Sequence, residues 1–192
     1  IGNPRISPSG KFAFWYNAPD SSWQAYHLEH KERIELTSGI EEGFHNDLHD
    51  SPSLPGSYGS AGWTGEDDFF LVYGKYDIWK VDPFDLQHPI NLTRKNGTKS
   101  EISYRLINLD SEKDFFDTQE EMILSGFDHN TKSSGYFLGD WNGKNDPTAL
   151  VFGNASYRGL KKAENSPAYI YQKSTFTASP DVYFSEAKFR RE

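Results

Sequence analysis

The 192-residue sequence predicts an all-β protein, and two observations carry that prediction. Short runs rich in Phe, Tyr, Trp, Val and Ile recur between clusters of Gly, Pro, Asn, Asp and Ser, as in strands separated by turns. The apolar spacing of an amphipathic helix is nearly absent. Hydrophobic residues make up 35% of the chain and aromatic residues 16%, which is enough for one globular domain with an aromatic-rich core.

The predicted strands form groups that repeat along the chain. The first group has strands at 11–17, 23–30 and 33–37, and the second has strands at 68–74, 76–82 and 89–93. Leu36-Thr37 ends the first group and Leu92-Thr93 ends the second, 56 residues further along. The third group has four strands, at 102–110, 122–128, 135–141 and 148–154, and a fourth begins with 168–173 and 181–185.

Four-stranded antiparallel units that repeat every 40 to 60 residues or so are typical of β-propeller blades, which bury their faces against neighbouring blades. We therefore predict about three and a half four-stranded antiparallel blades of a β-propeller, a partial and open arc. The predicted bounds are 4–38 for blade 1, 39–58 for a long loop, 59–99 for blade 2, 100–156 for blade 3 and 157–192 for a partial blade 4. An open arc exposes two blade faces, so the chain is expected to be an excerpt of a longer protein or to self-associate.

Two connections call for specific predictions. Asn142-Gly143 lies between the last two strands of the third group and predicts a type I′ hairpin turn, which needs positive φ at both central residues. Residues 39–62 are polar and rich in turn formers. Connections of that length in compact domains are functional or disordered, and we expect this one to be loosely packed or disordered.

The composition argues against several classes of partner. The net charge is −8 and no basic cluster exceeds two residues, so nucleic acid is not expected as a partner. The longest apolar run, residues 12–16, is too short for a membrane span, and no segment has the pattern of a signal peptide. The chain has no cysteine, which excludes disulfides and thiolate chemistry and suits an oxidising compartment.

Metal-binding residue types occur in two segments. In the long loop they are His45, Asp47, His49 and Asp50. Their spacing matches no metal signature, so we interpret them as solvated loop residues. Residues 140–146 partly resemble a calcium loop, but the glycine comes too early and Val151 stands where a bidentate Glu is needed. We therefore predict neither a metal nor a cofactor.

The sequence contains no complete catalytic signature, so we predict no catalytic residue in this chain. No serine has glycine at both −2 and +2, as the nucleophile elbow of an α/β-hydrolase requires, and the small-residue run at 56–62 is interpreted as a loop. Phosphate-binding loops, dinucleotide fingerprints and the His-Glu-x-x-His zinc motif are also absent from the sequence.

Two further patterns have both a structural and a functional interpretation. Glycosylation sequons begin at Asn91, Asn96 and Asn154. Strand ends rich in Asn and Thr produce such triplets by chance, so they receive little weight. The aromatic residues that could stack on sugars or peptides are Trp23, Tyr76, Trp79 and Trp141. Alternating aromatics in strands more often form the core between blades, which is the preferred interpretation.

Residues 58–93 closely resemble a blade of the N-terminal propeller in secreted prolyl oligopeptidase-family serine peptidases of Bacteroides-type bacteria. The resemblance is carried by YGSAGWT at 58–64, FLVY at 70–73, YDIWKVDP at 76–83 and PINLT at 89–93. A later stretch of the same propeller is similar to LKKAEN at 160–165, YIY at 169–171 and TFTASPDVY at 175–183. With the generic blade opening RISPSGK at 5–11, the resemblance spans essentially the whole chain.

This resemblance implies a parent hydrolase, a dipeptidyl peptidase IV-like serine peptidase, whose α/β-hydrolase domain follows the propeller and carries the Ser, Asp and His. The propeller of such a protein docks on that domain and admits only peptides. The resemblance also implies a periplasmic or extracellular location. In dipeptidyl peptidase relatives two propeller glutamates bind the substrate N-terminus; neither Glu41-Glu42 nor Glu120-Glu121 aligns with that pair, and we interpret both as surface carboxylates.

Two alternatives to a non-catalytic peptidase propeller stay open. A stand-alone propeller binding module would hold a glycan or a protein and would lose binding on Trp23→Ala or Trp141→Ala. A metal-dependent propeller enzyme using His45 and His49 would gain thermal stability from divalent metal, because a ligand that binds the native state stabilises it.

Overall fold

The structure, a computed structural model, describes residues 3–84, 86–110, 112–186 and 189. Within these residues fifteen strands form four antiparallel sheets, three with four strands and the last with three. The first sheet contains β1 (Arg5–Ile6), β2 (Phe12–Asn17), β3 (Ser22–His27) and β4 (Glu32–Glu35). The second contains β5 (Ser60–Trp63), β6 (Phe70–Tyr73), β7 (Ile78–Val81) and β8 (Ile90–Asn91).

The third sheet contains β9 (Ile102–Leu106), β10 (Ile123–Asp128), β11 (Ser134–Leu138) and β12 (Thr148–Gly153), and the fourth contains β13 (Ser156–Lys162), β14 (Tyr169–Ser174) and β15 (Asp181–Ser185). A 3-10 turn at Gly65–Asp67 and a one-turn helix, α1 (Asn96–Ser100), complete the described elements. Strands that follow one another in sequence pair side by side in every sheet. No helix of the described part is long and apolar enough to cross a membrane.

The predicted fold class, an open arc of antiparallel propeller blades, is confirmed. Three strands were missed, and each has a physical reason. β1 has only two residues, β5 is built from small residues before Trp63, and β13 is mostly polar. These strands form because neighbouring strands supply partners for their backbone groups, which a local apolar pattern does not reveal.

The repeated Leu-Thr pair performs the same structural task in the first two sheets. The backbone N–H of Leu36 donates to Trp23 O at 2.9 Å, and that of Leu92 donates to Ile78 O at 2.8 Å. Each following threonine accepts the amide of the same partner residue on its Oγ1, at 3.0 Å for Thr37 and 3.3 Å for Thr93. Both leucines are buried, so the pair closes the outer strand of a sheet and fills the space behind it.

The second sheet packs on both of its faces. Along β6, Phe70 and Val72 belong to a core shared with the first sheet, while Leu71 and Tyr73 belong to a core shared with the third. Successive side chains of a strand point to opposite faces, so one short apolar run contributes to two cores. This arrangement is what a propeller blade between two neighbours requires.

Two buried carboxylates connect consecutive segments. Asp67 accepts hydrogen bonds from Ser7 Oγ and Ser9 Oγ, both at 2.5 Å, and from the Ser9 amide at 3.1 Å, which joins the β5–β6 turn to the β1–β2 turn. Asp77 accepts from Thr93 Oγ1 at 2.5 Å and from the Gly97 and Thr98 amides at 3.0 Å. A buried carboxylate is tolerated because these donors replace the water it loses.

The prediction of a type I′ turn at Asn142-Gly143 is wrong, although β11 and β12 do pair antiparallel. β11 ends at Leu138 and β12 begins at Thr148, and of the two turn residues only Gly143 has positive φ, at 61°. The Asp140 carboxylate explains the longer loop. It accepts hydrogen bonds from the backbone N–H groups of Asn142, Lys144 and Asn145, so a side chain organises the connection.

Candidate functional site

The long connection between the first two sheets, residues 39–58, forms a strap that is anchored to these sheets at several points. The expectation of disorder or loose packing is wrong at these anchors, while most of the other strap residues are exposed. Its two arms pair with each other: the Asn46 amide donates to Gly56 O at 2.7 Å and the Tyr58 amide donates to Phe44 O at 3.0 Å. The Phe44 side chain is 2% exposed and belongs to the core between the first and second sheets. One buried aromatic ring thus anchors a segment whose composition is otherwise polar.

A second anchor holds the outer part of the strap to the second sheet. The Asp47 carboxylate accepts hydrogen bonds from Tyr58 Oη and from Lys75 Nζ, the latter at 2.8 Å. The Lys75 ammonium and the Tyr58 hydroxyl lower the pKa of Asp47, and Asp47 raises the pKa of Lys75. Exposed pairs of this kind contribute little stability, so this anchor is weaker than the buried Phe44 ring.

A third anchor is Glu42, whose interpretation as a surface carboxylate is wrong. Trp79 Nε1 donates to its Oε2 at 2.6 Å. The other oxygen lies against Gly74, where an added Cβ would stand 1.8 Å from it, so a side chain at this position would force the carboxylate to move. Burial raises the pKa of Glu42. Its neighbour Glu41 is exposed, as are Glu120 and Glu121.

Beside this anchor, Arg105 of the third sheet spans the joint between the second and third sheets. Its guanidinium lies 4.6 Å from the centroid of the Tyr73 ring and donates to the carbonyls of Gly74 and Lys75, each at 3.3 Å. Burial lowers the pKa of Arg105 and raises the pKa of Tyr73 to about 12. The Tyr73 hydroxyl in turn accepts the Leu106 amide at 3.2 Å. The contacts of Arg105 and Tyr73 therefore join the second and third sheets.

A serine–histidine pair that the sequence analysis missed lies beside this joint between the second and third sheets. Ser103 Oγ is 2.6 Å from His129 Nε2 and 2.9 Å from Lys75 O. The single hydroxyl proton satisfies the carbonyl only if His129 Nε2 carries a proton and donates to Ser103, which is the wrong tautomer for a general base. Within the described chain no carboxylate bonds to the His129 ring, so the pair lacks the third group of a catalytic triad.

The structure does not bring the possible metal ligands of the strap together. Asp47 is engaged by Tyr58 and Lys75, and His49 Nε2 lies 3.0 Å from Ser53 Oγ and 3.2 Å from Ser51 Oγ. Across the described residues no group of three or more His, Cys, Asp or Glu side chains is arranged to hold a metal ion. The hypothesis of a metal-dependent enzyme therefore has no site in this part of the molecule.

Most of the aromatic residues that could stack on a ligand already make contacts within the fold. Trp23 is 4% exposed and packs on Phe14 and Phe70, which confirms its preferred interpretation as a core residue and excludes the alternative of surface stacking. Trp79 donates to Glu42, as described above. Trp141 keeps part of its ring exposed, and its indole N–H donates to Glu120 O at 2.9 Å.

The three glycosylation sequons differ in accessibility. The Asn91 side-chain oxygen accepts the Thr93 and Lys95 amides, and its side-chain nitrogen is buried. The Asn96 side chain accepts the Tyr104 hydroxyl at 2.9 Å. Asn154 alone of the three is exposed, at the bend between β12 and β13.

The outer surface of the strap is the part of this region that remains available to a partner. Leu48 and Leu54 are 69% and 61% exposed. Leu54 also borders an open groove of about 390 Å³, whose other lining residues include Arg5, Tyr16, Pro19 and Trp23. An apolar side chain that an anchored segment holds outward can be covered with little loss of conformational entropy.

No protein-family model and no curated protein matches the chain. Among solved structures, the chain is similar to TolB from Acinetobacter baumannii, with a TM-score of 0.52 and 11% sequence identity. The superposition covers 97% of this chain and 41% of that one, so the chain spans less than half of TolB. At that identity the likeness defines the fold alone: the chain is a β-propeller arc. The resemblance to prolyl oligopeptidase-family peptidases stays a prediction.

Proposed function

We propose that this chain is a non-catalytic propeller segment of a prolyl oligopeptidase-like serine peptidase. In this proposal it docks on an α/β-hydrolase domain and restricts access of peptide substrates to the active site. The parent protein would be periplasmic or extracellular, and the blades would have the bounds 4–38, 59–99, 100–156 and 157–192. The propeller fold supports the proposal, as does the sequence resemblance, which is strongest at residues 58–93 and 160–185.

The single observation that carries the docking role is the anchored strap. Phe44 fixes its base in the core, Glu42 bonds to Trp79, and Asp47 bonds to Lys75. These anchors hold Leu48 and Leu54 outward without the entropy that a mobile loop would lose on binding. Two exposed leucines, of which Leu54 borders an open groove, are suited to the apolar centre of an interface.

The first experiment asks whether the parent is a serine hydrolase. An antibody against this chain is used to probe an extract of the source organism after labelling with a fluorophosphonate, which reacts with an activated serine. A labelled band much larger than 21.9 kDa is the expected result. An unlabelled band would overturn the peptidase proposal. The isolated chain should hydrolyse no Xaa-Pro or Xaa-Ala peptide, and fluorophosphonate-sensitive turnover by it would contradict the non-catalytic role.

The docking role is tested in the labelled parent protein by Leu48→Asp and Leu54→Asp. Both should lower kcat/KM for peptide substrates, or relax the exclusion of larger ones, because a charge at an apolar contact opposes docking. Leu86→Asp is the matched control, since Leu86 is 81% exposed and lies on the β7–β8 connection. The β7–β8 connection lies at one end of β7. The β6–β7 turn, which contacts the strap through Lys75, lies at the other end. Equal effects of all three changes would contradict the assignment of the docking surface.

The alternative proposal is a stand-alone module that binds a glycan or a protein, and the groove beside Leu54 favours it. Its test is saturable binding by the isolated chain, lost on Trp141→Ala or Leu54→Ala. Trp23→Ala is a poor probe, because removing a buried ring would destabilise the core as well as any ligand site.

A further inference from the structure

The open groove of about 390 Å³ lies between the first sheet and the strap. Arg5, Tyr16 and Trp23 line it from the first sheet, and Leu54 lines it from the strap. Tyr16 and Trp23 pair across β2 and β3, and cross-strand partners share a face of the sheet. That face packs on the second sheet, where the Trp23 ring lies 5.4 Å from the Phe70 ring. The groove is therefore part of the joint between the first two sheets.

The charged group of this groove is the Arg5 guanidinium. It lies 4.7 Å from the centroid of the Phe14 ring and 5.7 Å from that of the Trp23 ring, and it donates one hydrogen bond to Ser60 Oγ at 2.9 Å. Arg5 is exposed, and it forms no ion pair with any residue that the structure describes. A guanidinium has five N–H donors, so most of those of Arg5 are available to a ligand.

Arg105 shows how a comparable arginine is satisfied inside the fold. It lies on the first strand of the third sheet, as Arg5 lies on the first strand of the first sheet. Its guanidinium donates to the backbone oxygens of Tyr104, Gly74 and Lys75, at 2.7, 3.3 and 3.3 Å. Both guanidinium groups lie over aromatic rings, but the donors of Arg5 do not find such a set of acceptors in the described chain.

A second donor without an acceptor borders the groove. Trp23 is 4% exposed, and its indole N–H has no hydrogen-bond partner among the described residues. A buried donor without an acceptor is unfavourable, and native structures keep few of them. The Arg5 guanidinium is next to this ring, so one carboxylate can lie close to both donors.

We propose that this groove binds a small carboxylic acid that carries an apolar group. The carboxylate accepts charge-assisted hydrogen bonds from Arg5 and a hydrogen bond from the Trp23 indole. The apolar group packs against Tyr16, Pro19 and Leu54, which also line the groove. The net charge of −8 repels an anion from the chain as a whole, so the binding comes from these local contacts. This ligand class goes beyond the proposed function and does not depend on a peptidase parent.

A matched pair of probes tests the role of the charge. N-acetylphenylalanine has a carboxylate and an aromatic ring, and N-acetylphenylalaninamide has the same ring without the charge. Each probe is titrated into the ¹⁵N-labelled chain while the indole N–H signals of the five tryptophans are followed by NMR. The Trp23 signal is the one that is missing from Trp23→Phe.

We expect the acid to shift the Trp23 signal with a dissociation constant of about 1 mM or below, and the amide to bind at least about 10-fold more weakly. Equal binding of the two probes would overturn the proposal, because the guanidinium would then have no part in recognition. The absence of any shift at roughly 20 mM acid would overturn it as well.

Variants test the two donors separately. Arg5→Gln changes an exposed position and should raise the dissociation constant of the acid by about 10-fold or more. Arg158→Gln is the matched control, since Arg158 is also exposed and also donates to a serine hydroxyl, Ser156 Oγ, at 3.1 Å. Equal effects of the two changes would show that the acid responds only to the overall charge, which contradicts the site.

Trp23→Phe removes the indole N–H and keeps an aromatic ring in the core. Ligand-observed NMR should give a dissociation constant of the acid that is about threefold higher or more, because one donor is lost. Thermal melting of this variant and of Arg5→Gln establishes that each chain is folded. An unchanged affinity in folded Arg5→Gln is the result that removes the proposed carboxylate site.

A third probe, 3-phenylpropionate, distinguishes two sources of the carboxylate. It has the ring and the carboxylate of N-acetylphenylalanine but no amide. Weaker binding of this probe identifies the end of a peptide as the preferred ligand, and equal binding identifies a free carboxylic acid. Both results support a carboxylate site. Failure of both acids to bind would leave the proposed function in place, because fluorophosphonate labelling tests the parent protein independently.

Discussion

The second and fourth sheets are built from similar apolar strands but differ in burial. All four residues of β6 are buried, from Phe70 at 0% exposure to Tyr73 at 8%. In β14 burial alternates, because Tyr169 and Tyr171 are 3% and 1% exposed while Ile170 between them is 46% exposed. The second sheet has a neighbour on each face and the fourth has one. Burial in this fold is thus decided by a strand's place in the arc as much as by its composition.

The largest loss of stability is expected from a change at Phe70 in the fully buried strand of the second sheet. Phe70→Ala should cost about 3 to 5 kcal/mol of unfolding free energy, because the ring is fully buried and contacts three other aromatic rings. Urea titration followed by tryptophan fluorescence measures the loss. A cost below about 1 kcal/mol would mean that the core between the first two sheets is not tightly packed.

The joint between the first and second sheets can be tested with two adjacent aspartates. Asp67→Ala should cost about 2 to 3 kcal/mol, because Ser7 and Ser9 lose a charged acceptor in a buried site. Asp68→Ala is the control, since Asp68 is exposed and its loss should change stability by less than about 0.5 kcal/mol. Equal losses would contradict the assignment of Asp67 as the bond between the sheets.

Much of the fold was predictable because the strongest signals are local. Aromatic and β-branched alternation located the strands of the middle sheets, and the recurrence of Leu36-Thr37 as Leu92-Thr93 revealed the repeat. Short strands such as β1 and β5 were not predictable, because the partners of their backbone groups lie elsewhere in the chain.

The candidate site was much less predictable, for the same reason. Order in the strap depends on Trp79 and Lys75, which are 37 and 28 residues from the groups they bond. Asp67 resembles any acidic turn residue until the two serines 60 and 58 positions away are brought to it. No local pattern encodes such pairings. A buried carboxylate and a solvated one look alike in sequence.

The same change, valine to alanine, can be made in the second sheet and in the fourth to compare their burial. Val72→Ala on β6 should cost about 2 kcal/mol, because Val72 is fully buried and the change removes two methyl groups and leaves a cavity. Val182→Ala on β15 should cost less than about 0.5 kcal/mol in the monomer, since that side chain is 63% exposed. Similar costs would contradict the exposure of Val182 on the outer face of the fourth sheet.

The smallest expected effect concerns Glu42, which packs against the second sheet. Its pKa is raised in the folded protein, so its contribution to stability is full below the unfolded value of about 4.5 and is lost as the pH rises through the folded pKa. Glu42→Gln removes this titration and keeps an acceptor for Trp79. The variant should therefore melt slightly above the unaltered protein near pH 7, and the difference should vanish near pH 4.

Glu41→Gln is the control for that pH profile, since Glu41 is exposed one residue away. Its melting temperature should follow that of the unaltered protein at every pH. A Glu42→Gln profile parallel to the unaltered one would show that burial does not perturb this carboxylate.

Consecutive pairing of strands within each sheet sets the order in which this chain can assemble during synthesis. Each sheet draws on one uninterrupted stretch of sequence, so it can form as soon as that stretch has left the ribosome. One face of the second sheet is buried later, because Leu71 and Tyr73 pack on Leu124 and Phe137 of the third sheet. A nascent chain halted before residue 124 therefore exposes to solvent the face of the second sheet that carries Leu71 and Tyr73.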